Sequence, residues 1–552
     1  MAQAFLPPVL LACLVLTVAD AKVAQASGFE VVEATISEVH AAYESGELSA
    51  HELVQLYLDR IEAYDQQGPR INCILSINPN AFNEADKADA YFAETGHFIG
   101  PLHGIPILVK DSIDALGMAT THGTVMFQDY RPPLDAFVIA QLKQAGGIIL
   151  GKTTLGEFSG GDTYSTLTGN SRNPYALDHT VGGSSGGSGG ALAASFSLLA
   201  LGEETGSSLK RPAAWGALAG MRPTPGLVSR SGMWDGHPGP TAQMGPMART
   251  VEDMAKLLDG MVGFDPEDPI TALGVQHIPP SYTQSLAENG LVGARIGVIR
   301  ESIGHGARPD SEDFREVDSV FQRALGEFEA AGATLVDVDI PDMKDLVSRH
   351  VRDPLLEEQA LRVYLSRNPN SRFQTREDIE DHPEYPNSFK ARVRKYREGG
   401  FLDKLADGLI WLVGGRLTYP SHISRSRILE STRAREQLML LVAKTMAEHR
   451  LQAIVFKSIE HPPTLIDVAT NPPYRNNGGA VTLNSFLIYA PIVSVPMGVT
   501  GNNIPAGITF MGLPYSEPVL IRLAYAYEQA THHRRPPDST PPLVGRMQDL
   551  AN

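Results

Sequence analysis

Apolar residues recur along the first half of the chain in two patterns, one with helical spacing and one in short continuous runs. Ser49 and Glu52 have the spacing of a capping box, and apolar side chains follow them at helical intervals. A helix is therefore predicted to begin directly after Ser49. The segment GIPILVKDSID, residues 104–114, is a short apolar run that leads into polar residues, which predicts a buried strand with Lys110 at its end.

The alternation of helix and strand patterns continues through the rest of the chain. Residues 137–147 have a helical pattern, and the apolar run Ile148–Leu150 after them predicts a strand. Buried strand patterns return in QAIVFKS at 452–458 and APIVSVPMGV at 490–499. We predict an α/β protein whose core sheet uses both halves of the chain, interrupted by a variable, partly helical insertion at about 342–480.

The N-terminus has the pattern of a secretory signal peptide. Its apolar run, Val9–Ala19, has eleven residues, whereas a membrane-spanning helix needs about 20. Small-residue sites allow cleavage after Ala21 or Ala26. We therefore predict a signal peptide at 1–26 and a mature protein that is secreted or periplasmic, with no stable membrane insertion after signal removal. No Lys or Arg precedes the apolar run, so a membrane anchor stays as the alternative.

Composition narrows the class of protein. The chain has 552 residues, of which 43% are hydrophobic and 20% charged, enough to bury a large core. Its formal net charge of -17 argues against a nucleic-acid partner, because no basic surface is available to neutralise phosphates. The only cysteine outside the leader, Cys73, lies in the apolar segment INCILSI and is predicted to be a small buried core residue.

A Gly/Ser-rich tract, GGSSGGSGG at 182–190, has the composition of a flexible linker. However, it runs directly into ALAASFSLLALG, an apolar helix-to-strand pattern with no polar spacer. A phosphate-binding loop would end in Gly-Lys-Ser or Gly-Lys-Thr, and Ala191 follows this tract instead. Neither a flexible linker nor a phosphate-binding loop is therefore favoured for this tract.

Two catalytic interpretations of the tract name different bases. Gly183–Gly187 and Gly186–Gly190 both fit G-x-S-x-G, the nucleophile elbow of α/β-hydrolases, which needs a downstream acid and histidine. His461 is the candidate histidine. The other interpretation takes the base from upstream, at Lys110, whose position at the end of an apolar strand is unusual for a lysine. The structural alternative for Lys110 is a salt bridge to a nearby carboxylate.

Four motifs in order carry a family resemblance: GGSSGGS at 182–188, GEETGSS at 202–208, PAA at 212–214 and RPTPGLVSRSG from Arg222. With further landmarks from about residue 35 to about 542, the chain resembles the amidase signature family, whose second tract is of the type Gly-Thr-Asp-Thr-Gly-Gly-Ser. The resemblance implies an amidase-signature fold over 27–545, with a large central mixed sheet flanked by helices.

The resemblance also implies a Ser-cisSer-Lys triad. Ser208 would be the nucleophile, Ser184 the bridging serine after a cis peptide bond from Gly183, and Lys110 the base. A hydroxyl is a weak nucleophile, and a neutral lysine can take its proton when burial lowers the lysine pKa.

The backbone around the nucleophile would complete the site. N–H groups would form the oxyanion hole that stabilises the negative carbonyl oxygen of the substrate. These groups are expected at Thr205, Gly206, Ser207 and Ser208. Ser185 would support the site by hydrogen bonding.

Departures from the commonest family pattern in and after the second tract include Glu204 for Asp, Ser207 for Gly and Lys210 for Arg. A longer acid beside a shorter cation suggests that Glu204 and Lys210 form a compensated ion pair. If the backbone of Ser207 requires a positive φ, serine there costs about 1–2 kcal/mol relative to glycine and distorts the oxyanion hole.

The predicted activity is hydrolysis of an amide C–N bond in a small-molecule substrate through an acyl-enzyme on Ser208, releasing a carboxylic acid and ammonia or an amine. No metal or cofactor is expected, since the sequence has no HExxH motif or Cys/His cluster. A homodimer stays open as an assembly state. The insertion is expected to supply pocket specificity, and its apolar segment 401–415 is either a core helix or a pocket wall.

Three alternatives remain at this point. The same triad could hydrolyse carbamates or esters, a His461-based esterase could use the elbow serines, or the chain could be a non-catalytic binding protein on an amidase fold. Family members that transamidate tRNA-bound glutamate work with partner proteins. The predicted leader and the acidic charge argue against that role here.

Overall fold

The computed structural model describes residues 28–162, 164–239, 241–389, 391–392, 395, 424–472, 474–475 and 478–543. The predicted signal peptide and the apolar segment 401–415 lie outside the described residues. Within the described part of the chain, no helix is both long and apolar enough to cross a membrane.

The helices flank a central sheet and vary from one turn to seven turns in length. The α-helices are Ile36–Ser45, Ala50–Ile61, Ala81–Thr95, Phe137–Gln144, Gly186–Ala193, Lys210–Trp215, Val251–Asp259, Glu312–Ala330, Met343–Ser348, Pro354–Ser366, Arg376–Glu380, Arg425–His449, Ile466–Thr470, Leu483–Phe486 and Glu517–Thr531.

The strands, numbered in chain order, form one large sheet and two small two-stranded sheets. They are β1 Ile74–Ile77, β2 Pro106–Lys110, β3 Ile148–Thr153, β4 Tyr164–Ser165, β5 Gly169–Asn170, β6 Leu199–Glu204, β7 Ala219–Arg222, β8 Gln243–Ala248, β9 Arg295–Val298, β10 Gly304–His305, β11 Thr334–Asp337, β12 Ala453–Lys457, β13 Ala480–Val481, β14 Ile492–Val499 and β15 Pro505–Met511.

The large sheet has eleven strands in the order β1-β3-β2-β6-β8-β7-β14-β15-β12-β9-β11. Strands β3, β2 and β6 are parallel neighbours, as are β12, β9 and β11, and the strands between these two groups pair antiparallel. The sheet is therefore mixed, and strands from both halves of the chain meet where β7 pairs with β14. This is the predicted fold class.

Local sequence signals account for the elements that lead to the site. The helix Ala50–Ile61 begins at Ser49, where both hydrogen bonds of the predicted capping box are present. Strand β2 is buried along its whole length because it lies between two parallel neighbours, β3 and β6. A continuous apolar run is the pattern that such a two-sided environment requires.

The predicted insertion is mostly helical, from Met343–Ser348 to Arg425–His449. Its predicted end near residue 480 needs correction, because β12 lies inside that range and pairs with both β9 and β15. The added segment thus ends before β12, since a strand hydrogen-bonded on both sides belongs to the central sheet.

Cys73 is fully buried, as predicted, and it packs against the Gly-rich tract. A side chain at Gly190 would place its Cβ 2.4 Å from Cys73 Sγ. Glycine in this tract therefore permits close packing of the helix Gly186–Ala193 on the core, and the tract is ordered structure.

Candidate active site

Lys110 stands at the carboxyl end of β2 with no exposed surface. Its Nζ donates to Ser184 Oγ at 2.8 Å and to Glu203 Oε2 at 2.7 Å. Glu203 reaches it because β6 runs parallel beside β2 and ends at Glu204, so the two strand ends lie at the same edge of the sheet. The predicted lysine thus contacts both a site serine and a carboxylate.

Burial lowers the pKa of the Lys110 ammonium below its ordinary value, because the protein interior solvates the charged form poorly. Glu203, Asp235 and Glu204 oppose this effect, since each negative charge favours the ammonium. The environment of Lys110 therefore holds two competing influences on its protonation.

The loop that carries Ser184 is fixed by its neighbours. The Gly183–Ser184 peptide bond is cis, as the family resemblance implies. A Cβ on Gly183 would lie 1.8 Å from the carbonyl oxygen of Asp162, so only glycine fits this close approach. Arg211 ion-pairs with Asp162, and its Nε donates to the Gly183 carbonyl at 3.1 Å. These contacts account for an ordered loop with a linker-like composition.

Ser185 connects the Gly-rich loop to the second tract. Its Oγ donates to the Glu203 carbonyl and accepts from the Glu203 N–H, both at 3.1 Å. Its own N–H donates to the Ser208 carbonyl at 3.0 Å. Ser185, the residue after Ser184, therefore connects the loop to the end of β6 and to the backbone of Ser208.

The backbone segment from Thr205 to Ser208 connects the end of β6 to the helix Lys210–Trp215. Thr205, Gly206 and Ser208 are half-buried, and among the described residues no acceptor is paired with the N–H groups of these four residues. Ser207 is buried and does not have a positive φ, so serine replaces glycine there without left-handed strain. The condition for a distortion at Ser207, a positive φ, is therefore not met.

Glu204 organises the turn after Ser208. Its Oε2 accepts the backbone N–H groups of Leu209 and Lys210, each at 2.8 Å, at the start of the helix Lys210–Trp215. Lys210 Nζ lies 3.8 Å from Glu204 Oε1, so the expected contact between the two residues is present. Asn484 joins the pair, because its Nδ2 donates to Glu204 Oε1 at 2.5 Å and its Oδ1 accepts from Lys210 Nζ.

Lys210 is also fully buried, and its pKa falls to about 8, chiefly through desolvation and against the opposing charge of Glu204. The Glu204–Lys210–Asn484 cluster fixes the strand end before Ser208 and the helix after it. Its role is structural support next to the candidate nucleophile.

A cleft opens beside Thr205. Its walls come largely from the predicted insertion, and they include His350, Arg352, Asp353, Glu357, Ile428 and Arg435. Across the described ranges, no group of three or more His, Cys, Asp or Glu side chains could hold a metal ion.

The elbow interpretation finds no matching geometry. Ser188 Oγ donates to the Leu201 carbonyl at 2.8 Å, and Ser185 is bonded to the backbone of β6. His461 Nε2 instead accepts the backbone N–H of Arg308 at 3.0 Å. The serines of the two G-x-S-x-G frames thus bind the backbone, and the predicted histidine has its own partner elsewhere.

Sequence reasoning missed three residues of the site: Glu203, Arg211 and Asn484. A signal for Glu203 was present in the sequence, because it occupies the threonine position of the Gly-Thr-Asp-Thr-Gly-Gly-Ser pattern. Arg211 directly follows Lys210, but its function depends on a loop 28 residues earlier in the chain. Asn484 is 274 residues from Lys210 and has no local motif.

Comparison with known proteins is consistent with this geometry over most of the chain. The sequence profile of the family described as Amidase matches residues 52–521. A glutamyl-tRNA(Gln) amidotransferase chain of Halorhodospira halophila (strain DSM 244 / SL1) is 34% identical over 511 residues, which cover 91% of this chain and 99% of that protein.

Two solved structures share the architecture. The native peptide amidase of Stenotrophomonas maltophilia superposes with a TM-score of 0.73 at 31% identity, covering 92% of this chain and 99% of that one. An amidase family protein of Bacillus anthracis str. Ames gives a TM-score of 0.74 at 28% identity, covering 92% of this chain and 93% of that one. On the family match and these full-length similarities, the chain is an enzyme of the amidase signature family, whose members act on C–N bonds.

Proposed function

We propose that this enzyme hydrolyses an amide C–N bond of a small molecule through an ester on Ser208, with Ser184 and Lys110 moving the proton. The observation that carries the proposal is the 2.8 Å hydrogen bond from the buried Lys110 Nζ to Ser184 Oγ. The loop bearing that serine is hydrogen-bonded to the Ser208 backbone through Ser185. Acyl transfer requires a base, a relay hydroxyl and a nucleophile in an ordered arrangement, and the end of β2 and the two neighbouring tracts supply these three groups in the proposal.

In the proposed acylation step, Ser208 Oγ attacks the amide carbon. Its proton passes to Ser184 Oγ while the Ser184 proton passes to neutral Lys110 Nζ. The carbonyl oxygen becomes negative and accepts hydrogen bonds from the N–H groups of Thr205–Ser208. The C–N bond then breaks as the proton returns through Ser184 to the leaving nitrogen.

Deacylation follows the same path in reverse. Water attacks the Ser208 ester, its proton passes to Lys110 through Ser184, and the carboxylic acid leaves as Ser208 regains a proton. Each turnover therefore restores Lys110 to its neutral form, and the three residues exchange only protons apart from the transient ester.

In this proposal the cleft beside Thr205 receives the substrate. Carboxylates of Asp353 and Glu357 and the guanidinium group of Arg435 line this cleft, which favours a polar amide. The similarity to a peptide amidase supports the choice of peptide amides as candidate substrates. A second candidate function is amide transfer from glutamine, which the name of the 34% identical tRNA-dependent relative suggests.

We also propose that the protein is exported, on the basis of the N-terminal apolar run and its small-residue cleavage sites. Expression of the full chain followed by N-terminal sequencing of the extracellular or periplasmic fraction tests this. A mature N-terminus after Ala21 or Ala26 is the expected result, an exported chain that keeps its N-terminal segment would favour the membrane anchor, and recovery of the protein only in the cytoplasm would refute export.

The test of the proposed activity is ammonia release from a panel of primary amides that includes peptide amides and glutamine. Ser208→Ala is the inactive variant. Ser348→Ala serves as the matched control, because Ser348 is exposed on a helix of the insertion and its hydroxyl bonds only to the Asp345 carbonyl.

We expect release by the wild type and by Ser348→Ala, and none by folded Ser208→Ala. If only glutamine is consumed, the amide-transfer function is favoured. Activity that survives in Ser208→Ala would refute the proposed nucleophile, and hydrolysis of esters or carbamates without amides would redirect the substrate class.

A further inference from the structure

Glu203 introduces a charge where the family tract has threonine. Its side chain is only 2% exposed, and its Oε2 lies 2.7 Å from Lys110 Nζ. The other oxygen, Oε1, accepts a hydrogen bond from the hydroxyl of Thr205 at 2.9 Å. One carboxylate therefore contacts both the candidate base and the first residue of the backbone segment that leads to Ser208.

The contact with Glu203 affects the protonation state in which Lys110 can act as a base. A base accepts a proton only when it is neutral, whereas an anion in direct contact favours the protonated ammonium form. Burial acts in the opposite direction on Lys110. In a site with threonine at this position, burial would act with one fewer opposing charge.

We propose, as an inference that rests on the proposed function, that Glu203 is a positioning residue that holds Lys110 as an ammonium ion in the resting enzyme and orients its Nζ toward Ser184. The enzyme then gains its active, neutral Lys110 at higher pH than it would without this carboxylate. Once Lys110 has accepted the proton from Ser184, the same carboxylate stabilises the ammonium that accompanies the tetrahedral intermediate.

Among the charges around Lys110, Glu203 opposes the effect of burial on the Lys110 pKa most strongly. Glu204 and Asp235 also act on Lys110, but Glu203 is the carboxylate that is hydrogen-bonded to its Nζ. Arg222 is the nearby cation whose own protonation is favoured by Glu203. Removing the Glu203 charge should therefore move the protonation of Lys110 further than any other single substitution around it.

The experiment measures the rate at which a fluorophosphonate labels the enzyme as a function of pH, so no natural substrate is required. Ser208 Oγ attacks the phosphorus, the P–F bond breaks, fluoride leaves, and the serine proton passes through Ser184 to Lys110. The labelling rate thus reports the fraction of neutral Lys110. The variants are Glu203→Gln, which keeps the shape and removes the charge, and Glu203→Thr, which restores the family residue.

Two controls accompany these variants. Glu517→Gln removes a different fully buried carboxylate, which accepts the backbone N–H of Thr224, and leaves Lys110 untouched. Ser208→Ala provides the unlabelled reference. Thermal unfolding of each variant confirms that the folded protein is being compared.

In both Glu203 variants the midpoint of the pH profile should fall by about one to three units, the usual effect of one adjacent opposite charge. On the acid limb this corresponds to labelling at least about tenfold faster than wild type. The plateau rate should fall, because the ammonium formed in the reaction loses its partner. Glu517→Gln should keep the wild-type midpoint.

The outcomes separate the two proposals. An unchanged midpoint in Glu203→Gln and Glu203→Thr, with labelling that still depends on Ser208, overturns the role of Glu203 and leaves the proposed function intact. Labelling that persists in Ser208→Ala overturns the proposed function. A uniform loss of rate at every pH assigns Glu203 a structural role only, and absence of labelling in all proteins overturns both proposals.

Discussion

Replacing Lys210 by methionine tests how the buried cluster beside Ser208 is held together. Methionine fills a similar volume but removes the positive charge that lies 3.8 Å from Glu204 Oε1. Glu204 keeps its hydrogen bonds from two backbone N–H groups and from Asn484. The substitution thus leaves a fully buried carboxylate with hydrogen-bond donors but without its cation.

The expected loss of unfolding free energy follows from the burial of both Glu204 and Lys210. Removing one member of a buried ion pair typically costs about 3–5 kcal/mol, because the remaining charge is left uncompensated. Three hydrogen bonds still stabilise the Glu204 carboxylate in Lys210→Met. The expected loss of unfolding free energy is therefore near the lower end of that range, at about 3 kcal/mol. Glu204→Gln should cost less at pH 8, because Lys210 has a pKa of about 8 and can release its proton.

The assay is urea unfolding at pH 8 of the wild type, the two single variants and the double variant Glu204→Gln/Lys210→Met. The double variant removes both charges, so its free energy of unfolding should recover to within about 1 kcal/mol of wild type, because neutral replacement of a buried pair is often tolerated. Amide hydrolysis should fall in Lys210→Met, because Ser208 lies between the two partners in the chain.

Two results would refute this reasoning. If Lys210→Met unfolds at the wild-type urea concentration, the Lys210 charge does not stabilise the buried Glu204. If the double variant is as unstable as the sum of the two single variants, the residues are not coupled across the 3.8 Å contact.

Three further predictions concern the loop, the relay and the N-terminal core. Ser184→Ala should lower kcat by about 10²–10⁴-fold with little change in thermal stability, the usual contribution of a proton-transfer group; activity within tenfold of wild type would exclude the relay. Gly183→Ala should destabilise the fold by about 1–3 kcal/mol in urea and inactivate it, because its Cβ would overlap the Asp162 carbonyl; wild-type stability would show that the loop can relax. Burial raises the pKa of Asp253 to about 6 from 3.8, so its contribution to stability is full below pH 3.8 and is lost as the pH rises through 6. Asp253→Asn should therefore gain thermal stability relative to wild type between pH 4 and 7, and a constant difference in melting temperature would contradict this.

Local patterns predicted the elements that depend on local physics. The capping box at Ser49 and Glu52 begins a helix because both hydrogen bonds form within one turn. The apolar run before Lys110 is a strand buried on both faces. The order of the four motifs also predicted the family, because each motif is a contiguous segment that can be identified without the tertiary structure.

Lys110 makes two contacts that the local sequence cannot combine. The segment around it predicts either a catalytic base or a salt bridge, and in the structure Lys110 contacts both Ser184 and Glu203. The two interpretations are compatible because β2 and β6 are parallel neighbours that end together. Strand pairing is set by packing across the sheet, and no pattern within either segment specifies it.

The sequence by itself determined the helix after Ser49, the strand that ends at Lys110, the buried state of Cys73 and the family to which the enzyme belongs. Only the tertiary structure decided which charges meet: Glu203 with Lys110, Arg211 with the Gly183 carbonyl, and Asn484 with the Glu204–Lys210 pair. The physical reason is that hydrogen bonds and ion pairs act over a few ångströms in space, whereas these partners are separated by up to 280 residues in the chain.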